Sequence, residues 1–418
     1  MKKIAGILIK ILILLPFGLS ATRIYFLSTQ LVPVEESEWF RRNVLSEFES
    51  RYGVKTVFIG TGYGEFQDRI ISEFKSGRGK IDLTAGLSSD YEGISQAFLS
   101  LNDFFSSLGV DFVPSATKYI KMDGRIIYVP WLQTTYIFVC NKKALRYLPD
   151  GARIDDLSYE DLLNWSKNIE DATGRKLFGL PAGPRGLIHR FIHGYLYPSF
   201  TGAQIIHFDD SLGVKMWLFF QKLWAHTNPG SSVWEKMDTP LLSEEVWIAW
   251  DHISRLKNTI IERPDQFVIF PAPRGPAGRG ILQVLVGLGI TSYSDRKAEA
   301  MKLIKFLLSR EIQKRMLEGT GFMPVISNVK FEEGGSPTAL IYAGVSDQSR
   351  KSDLIVSFIP GGLGQRSGEF TKIYRDTFRE VILKQKNPSR VLKIYGKRLK
   401  ELYRETGARL PYPDYEIR

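Results

Sequence analysis

Three short apolar runs near the start of the chain, each leading into the next through a helical repeat, constrain the fold more than any other feature. TRIYFLS (22–28), VKTVFIG (54–60) and KIDLTAG (80–86) read as buried strands. Between the first two, SEWFRRNVLSEFESRYG sets Trp39, Phe40, Val44, Leu45, Phe48 and Tyr52 on one helical face, and Gly53 stops the helix. Between the second and third, EFQDRIISEFKSG repeats the pattern through Phe66, Ile70, Ile71 and Phe74. Strands joined by single helices must run parallel, which predicts an α/β lobe. In such sheets a ligand sits beyond the carboxyl ends of the strands. That rule points at the loops 28–36, 60–65 and 87–91.

Further along, RIIYVPWLQTTYIFVCNKKAL (125–145) reads as a strand, a Pro-Trp turn and a return strand, with no turn-rich linker. Such long strands can serve as a hinge between two lobes, and 418 residues are enough for two cores. Ser158 opens a capping-box helix carrying Leu162, Leu163, Trp165 and Ile169. FGLPAGPRG (178–186) is a strand and an open loop, 187–200 is an aromatic helix, and 212–228 is apolar nearly all round and therefore buried. The stretch 243–290 then places Trp247, Trp250, Asp251, His252 and Arg255 within about two turns of an expected helix. Trp250 offers a flat apolar face, Asp251 accepts hydrogen bonds, and Arg255 donates through a rigid fork. A polyhydroxylated ring needs that mixture; a core helix with solvated charges is the plainer alternative. Two amphipathic helices close the chain between Phe370 and Glu405.

Lys and Arg number 56 against 45 Asp and Glu, a formal excess of +11. The basic residues are scattered, without a run of five, which reads as solvated helix faces rather than a nucleic-acid surface. The single cysteine, Cys140, excludes an internal disulfide framework and leaves no lipid-anchoring cysteine behind the leader. Residues 1–21, MKKIAGILIKILILLPFGLSA, have the basic start, apolar stretch and small-residue end of a secretory signal. Lys10 leaves too few apolar residues for a span of about 20.

Several motifs fail. GTGYGE (60–65) follows a strand, but Glu65 stands where a dinucleotide fingerprint needs its third glycine. His189 and His193 have zinc-helix spacing, yet Arg190 occupies the place of the glutamate, so no metal is assigned. A Walker loop and a nucleophile elbow are both lacking. Glu35, Glu36, Asp90 and Asp251 could pair as glycosidase acids only at a separation that one sequence cannot give.

The chain resembles the extracytoplasmic solute-binding proteins of sugar ABC transporters, the maltose-binding-protein-like group. The residues that carry the likeness are GKIDLTAG, FLSLNDFF (98–105), IIYVPWLQTTYIFVCNK, YEDLLNWSKNI, VWIAWDHISRL with FPAPRGP and GRG, and AEAMKLIKFLLSREIQKRMLEGTGFMPV, in that order. Val139-Cys140 replaces the Tyr-Tyr of many members.

The resemblance implies an α/β, two-lobe periplasmic-binding-protein type II fold with hinge strands and a C-terminal helical segment. Residues 22–139 plus 284–330 would form one lobe, and 140–283 plus 331–418 the other. It implies a non-catalytic monomer outside the cytoplasmic membrane that needs no cofactor, meets no nucleic acid, and delivers a sugar ligand to the permease subunits. The binding residues it suggests are Gln30, Glu35, Tyr63, Ser89, Asp90, Trp131, Trp250, Asp251, Arg255, Gly321 and Met323, with His189 and His193 as weaker picks. Trp250 or Trp131 is expected to stack on a sugar ring. Two alternatives stand beside this reading. One is a secreted carbohydrate-active enzyme. The other is the same receptor holding an anionic non-sugar ligand through Arg185, Arg255 and Arg274.

Overall fold

The structure is a computed structural model that describes residues 22–117, 120–122, 124–327, 329 and 337–416. The leader expected at 1–21 lies outside the described residues. Among those residues, no helix is long and apolar enough to cross a membrane.

The strands, in chain order, are β1 (Arg23–Ser28), β2 (Lys55–Gly60), β3 (Leu83–Leu87), β4 (Lys121–Met122), β5 (Arg125–Ile126), β6 (Val129–Thr134), β7 (Tyr136–Asn141), β8 (Phe178–Gly179), β9 (Ile248–His252), β10 (Phe267–Phe270), β11 (Arg279–Ile290), β12 (Met323–Pro324) and β13 (Leu354–Phe358). A seven-stranded sheet runs in the order β12-β6-β11-β3-β1-β2, with β13 added to β11. A four-stranded sheet has the order β10-β7-β9-β8. Each sheet is the floor of one lobe, and the chain has the two-lobe α/β fold.

The first lobe forms as the alternation dictates. β1 pairs in parallel with both β2 and β3, and helices cross over between them. Helical segments Val34–Phe40, Arg41–Leu45 and Ser46–Tyr52 follow without a break, and Gly53 ends them at φ 67°. That positive φ is a backbone state glycine enters without a Cβ penalty. Helix Tyr63–Ser76 also ends on a left-handed glycine, Gly77. Glu65, the residue that spoils the dinucleotide count, caps this helix by accepting from Thr61 Oγ1 and the Gly62 N–H.

Only Thr135 separates β6, in the first sheet, from β7, in the second. Its hydroxyl donates to Leu282 O at 3.2 Å and lies 3.3 Å from the Tyr195 hydroxyl, which ties the crossing to β11 and to the aromatic helix. β11 is buried along all 12 residues. Its first five residues pair with β13, its middle with β6 and its end with β3. The register to β6 shifts between Val286 and Gly287, where Trp131 is the extra residue on β6. A Cβ on Gly287 would overlap the Tyr128 ring, which stacks on Tyr91 at 5.0 Å.

Three local expectations change. Pro130 and Trp131, read as a turn, lie within β6, and the chain passes to the return strand at Thr135 instead. Leu218, in the helix read as buried all round, is 46% exposed. More consequentially, residues 248–252 are strand, not helix, and the helix starts only at Ile253. The run Ile248-Ala249-Trp250 is flanked by β7 and β8, so cross-strand partners override the helical periodicity. His252 then caps helix Ile253–Glu262 by accepting the Ser254 N–H at Nδ1.

Gly287→Ala is expected to destabilise the fold by about 1–3 kcal/mol, because the new methyl displaces the Tyr128 ring from a filled core. The midpoint of urea unfolding, at unchanged slope, checks this.

Candidate functional site

The loop after β1 rises to the seam between the lobes. Ser28 Oγ donates to Gln30 O at 2.7 Å and accepts the Gln30 N–H at 3.0 Å, which folds the loop back on itself. Against it stand the end of β6, the end of β9 and the turn after helix Arg310–Thr320. Together they enclose about 170 Å³, lined by Thr29, Gln30, Glu36, Thr134, His252 and Phe322 among others. Four segments far apart in sequence thus meet in one cavity that draws on both sheets.

The polar groups in this wall have settled states. His252 receives the Ser254 N–H at Nδ1, so its neutral ring carries the proton on Nε2 and donates to Thr134 Oγ1 at 3.0 Å. Burial, then the charges of Arg255 and Arg190, push its pKa down to about 3, so it is neutral near pH 7. Burial raises the Glu36 carboxyl above its ordinary value and Glu35 adds to the rise, while Lys257 opposes it.

The two tryptophans expected to stack on a ligand do not face this space. Trp250 is 0% exposed, stacked on Tyr136 at 4.8 Å and 5°, with Phe191 at 5.0 Å. Alternation on β9 turns Trp250 to one face and Asp251 to the other. Trp131 is likewise 0% exposed, packed on Phe26 at 6.0 Å and Phe40 at 5.5 Å. Both are core residues, and the stacking role assigned to them does not hold.

Asp251 is also sealed. It accepts from Met237 N at 2.9 Å and His252 N at 2.7 Å, and Arg255 approaches at 3.6 Å. Burial raises its pKa to about 7 against those three stabilising partners. Asp90 is buried too, holding Thr29 Oγ1 at 2.6 Å and the Leu87 N–H at 2.8 Å. Burial raises its pKa to about 6. It shapes the loop that carries Gln30 from behind.

Ser89, His189, His193 and Met323 are buried away from the cavity lining. Glu35 points outward from the first helical turn, and its neighbour Glu36 lines the cavity instead. Gln30 and Gly321 do line it. Gly321 is the left-handed end of its helix at φ 81°. The side chain of Tyr63 lies outside the described residues; its backbone opens helix Tyr63–Ser76. Arg255 is half-buried and donates to Glu235 O at 2.6 Å.

The sequence profile described as "Bacterial extracellular solute-binding protein" matches residues 33–314, more than half of the chain. The chain belongs to that family. No curated protein sequence matches it. Among solved structures it is similar to the sugar-binding protein MalE from Xanthomonas citri, at 14% identity and TM-score 0.74, over 92% of this chain and 98% of that one. Maltose-bound MalE3 of T. maritima aligns at 19% identity and TM-score 0.66, over 91% and 100%. UgpB from Mycobacterium tuberculosis, in complex with glycerophosphocholine, aligns at 18% and 0.67, over 92% and 99%. At these identities the likeness is one of fold.

Within this solute-binding fold, the binding residues drawn from the resemblance leave out Glu36, Thr134, His252, Ser254 and Phe322 of the cavity wall, although the sequence groups His252 with Trp250 and Asp251 and places Glu36 in the first loop. One signal was available, since a small polar residue at a strand end next to a crossing is well placed for a ligand. Glu36 differs from Glu35 only in helical phase, which a loop of unknown exit angle leaves open.

Trp250→Ala is expected to cost about 3–5 kcal/mol of stability, read by chemical denaturation, because it empties a filled aromatic core. Asp251 gives a pH signature. Its folded pKa is raised, so its favourable contribution is complete below the ordinary value of 3.8 and is lost as pH rises through about 7. From pH 5 to pH 8 the native protein should therefore lose on the order of 2 kcal/mol more stability than Asp251→Asn, measured by urea melts at both pH values.

Proposed function

We propose that this protein is the substrate-binding component of an ABC importer, working outside the cytoplasmic membrane as a monomer. It takes a saccharide into the seam between the lobes and hands it to the permease. The body built on the seven-stranded sheet and the body built on the four-stranded sheet close on it, hinged at Thr135. The observation that carries this reading is the cavity at the seam, whose wall takes Thr134 from one sheet and His252 from the other. Gln30, Thr134 and Glu36 offer hydroxyl-binding groups there, and the half-buried Phe322 offers an apolar wall for a sugar C–H face.

Binding without turnover fits the state of the acids. A glycosidase needs two carboxyls flanking one bond. Asp90 and Asp251, two of the carboxyls that could have served, are sealed in the lobes and occupied by backbone N–H groups.

Calorimetry against mono- and oligosaccharides should give dissociation constants in the micromolar range or tighter, with no new product on chromatography of the recovered sugar. Gln30→Ala and Glu36→Gln should each weaken the best ligand roughly tenfold, the worth of one lost hydrogen bond to a well-placed group. Absence of binding across the panel, or release of cleaved sugar, would remove the reading.

A further inference from the structure

Ligands of a parallel sheet sit beyond the carboxyl ends of its strands, and here two such ends are neighbours. β1 and β3 pair in parallel, with Ser28 opposite Ala85, and the Thr29 N–H donates to Ala85 O at 2.9 Å. Paired strands lie about 4.8 Å apart, so the loops that follow them open side by side. The loops are also tied together, since Thr29 Oγ1 donates to Asp90 at 2.6 Å. Yet the loop after β3 lines a different space from the seam. Ser88 and Glu92, on either side of Asp90, line a cavity of about 390 Å³, against 170 Å³ at the seam. Sites for small ligands measure roughly 300–1,000 Å³, a range that the seam cavity alone falls short of. The facing wall is Arg409, Tyr412 and Tyr415, in the segment that follows helix Pro388–Thr406, and Tyr128, just before β6, completes it.

The wall is built rather than incidental. Asp414 anchors the last segment, its carboxylate accepting the N–H groups of Gln204 at 2.6 Å and of Ile205 and Ile206 at 2.7 Å. Tyr412 and Tyr415 meet edge to face at 5.5 Å, and Tyr415 is half exposed at the rim. Glu92 is wedged against Gly361, where a Cβ would come within 2.6 Å of its carboxyl group. Burial raises the Glu92 pKa to about 7, with Arg409 opposing, so near neutral pH the carboxyl can donate or accept. The deciding group is Tyr128. Its ring is 0% exposed and stacks on Tyr91 at 5.0 Å. The Tyr91 hydroxyl is satisfied, donating to Gly287 O at 2.8 Å with Thr84 Oγ1 at 3.0 Å. The Tyr128 hydroxyl has no hydrogen-bond partner among the described residues. A buried hydroxyl without a partner costs stability, and phenylalanine would fill the same space without that cost. A ligand hydroxyl in the cavity would satisfy it.

We propose that the cavity between the loop after β3 and residues 409–415 is a second sugar subsite, in which Tyr128 and Glu92 bind hydroxyls and the Tyr412–Tyr415 pair lies against a ring face. The ligand is then at least a disaccharide that spans the ends of β1 and β3, and the segment after the last long helix is part of its site. The wall carries both signs, Glu92 against Arg409 and Lys121, which suits uncharged hydroxyls better than a charged group. This rests on the reading of the seam as a saccharide site.

The test is calorimetry on the full chain at pH 7 with ligands matched by length: glucose against maltose and maltotriose, glucose against cellobiose and cellotriose, and N-acetylglucosamine against its dimer and trimer. In the best series the longer sugar should bind about tenfold tighter or more than the single unit. Tyr128→Phe keeps the ring and removes one hydroxyl. It should lower that ratio roughly three- to tenfold, the worth of one hydrogen bond, while the midpoint of urea unfolding stays or rises. A tyrosine with a purely structural role would leave the ratio where it was. Tyr415→Ala, at the half-exposed rim, should lower the ratio in the same direction, and it carries the test where Tyr128→Phe fails to fold. Single sugars binding as tightly as their longer forms, or a ratio unmoved in a folded Tyr128→Phe protein, would overturn the second subsite and leave the seam reading intact. Failure of every sugar, short and long, would overturn both.

Discussion

Strand β11 is hydrogen-bonded to three partners in turn, and everything else is arranged around that fact. Its start pairs with β13, its middle with β6 and its end with β3. A strand buried from end to end must satisfy its backbone groups along its whole length. The solution is close approach. Gly280 lies against Tyr195 O and Ser199, and Gly287 and Gly289 lie against the Tyr128 and Tyr91 rings, positions where a side chain would collide. Arg279 anchors the entry, with one carboxylate from the region before Ser158 and one from the region before β13. Such a buried ion pair adds little net stability against apolar packing, but it fixes which segments meet.

Because the chain passes from one sheet to the other at Thr135, with β6 held beside β11, the loops at the strand ends gather around that crossing. The cavity follows from this geometry. Its lining residues come from the loop after β1, the end of β6, the end of β9 and the turn after helix Arg310–Thr320, none of which are neighbours in sequence. The aromatic helix packs against the crossing strands, with Phe191 and Tyr195 on Tyr136 and Phe138. Tyr195 Oη, donating to Tyr136 O at 2.8 Å, is one of the bonds that holds it there.

Aromatic residues near a seam serve here as structure more than as ligand platforms. Tyr136, Phe191, Tyr195 and Trp250 form one packed group with centroid separations between 4.8 and 6.4 Å. Burying such rings is among the largest stabilising contributions available to a lobe of this size. Under the proposed closing of the lobes on a ligand, these rings would stiffen the walls, and the polar residues from Gln30 to His252 would serve recognition.

The alternation of buried runs with helical repeats in residues 22–86, and the unbroken order of segments from GKIDLTAG to GFMPV, determined the parallel lobe and the family, because those signals are local and periodic. Gln30 and Gly321 were also legible, one by its place after a strand and the other as a helix-ending glycine. The status of Trp250 and Asp251 was decided only in three dimensions. Whether 248–252 is helix or strand depends on β7 and β8 lying on either side, and a strand's two faces are indistinguishable until the core is placed. The surroundings of Arg190 belong to the same class: a sequence records that an arginine is present, but that its side-chain partner among the described residues is the buried His193 is a property of packing alone.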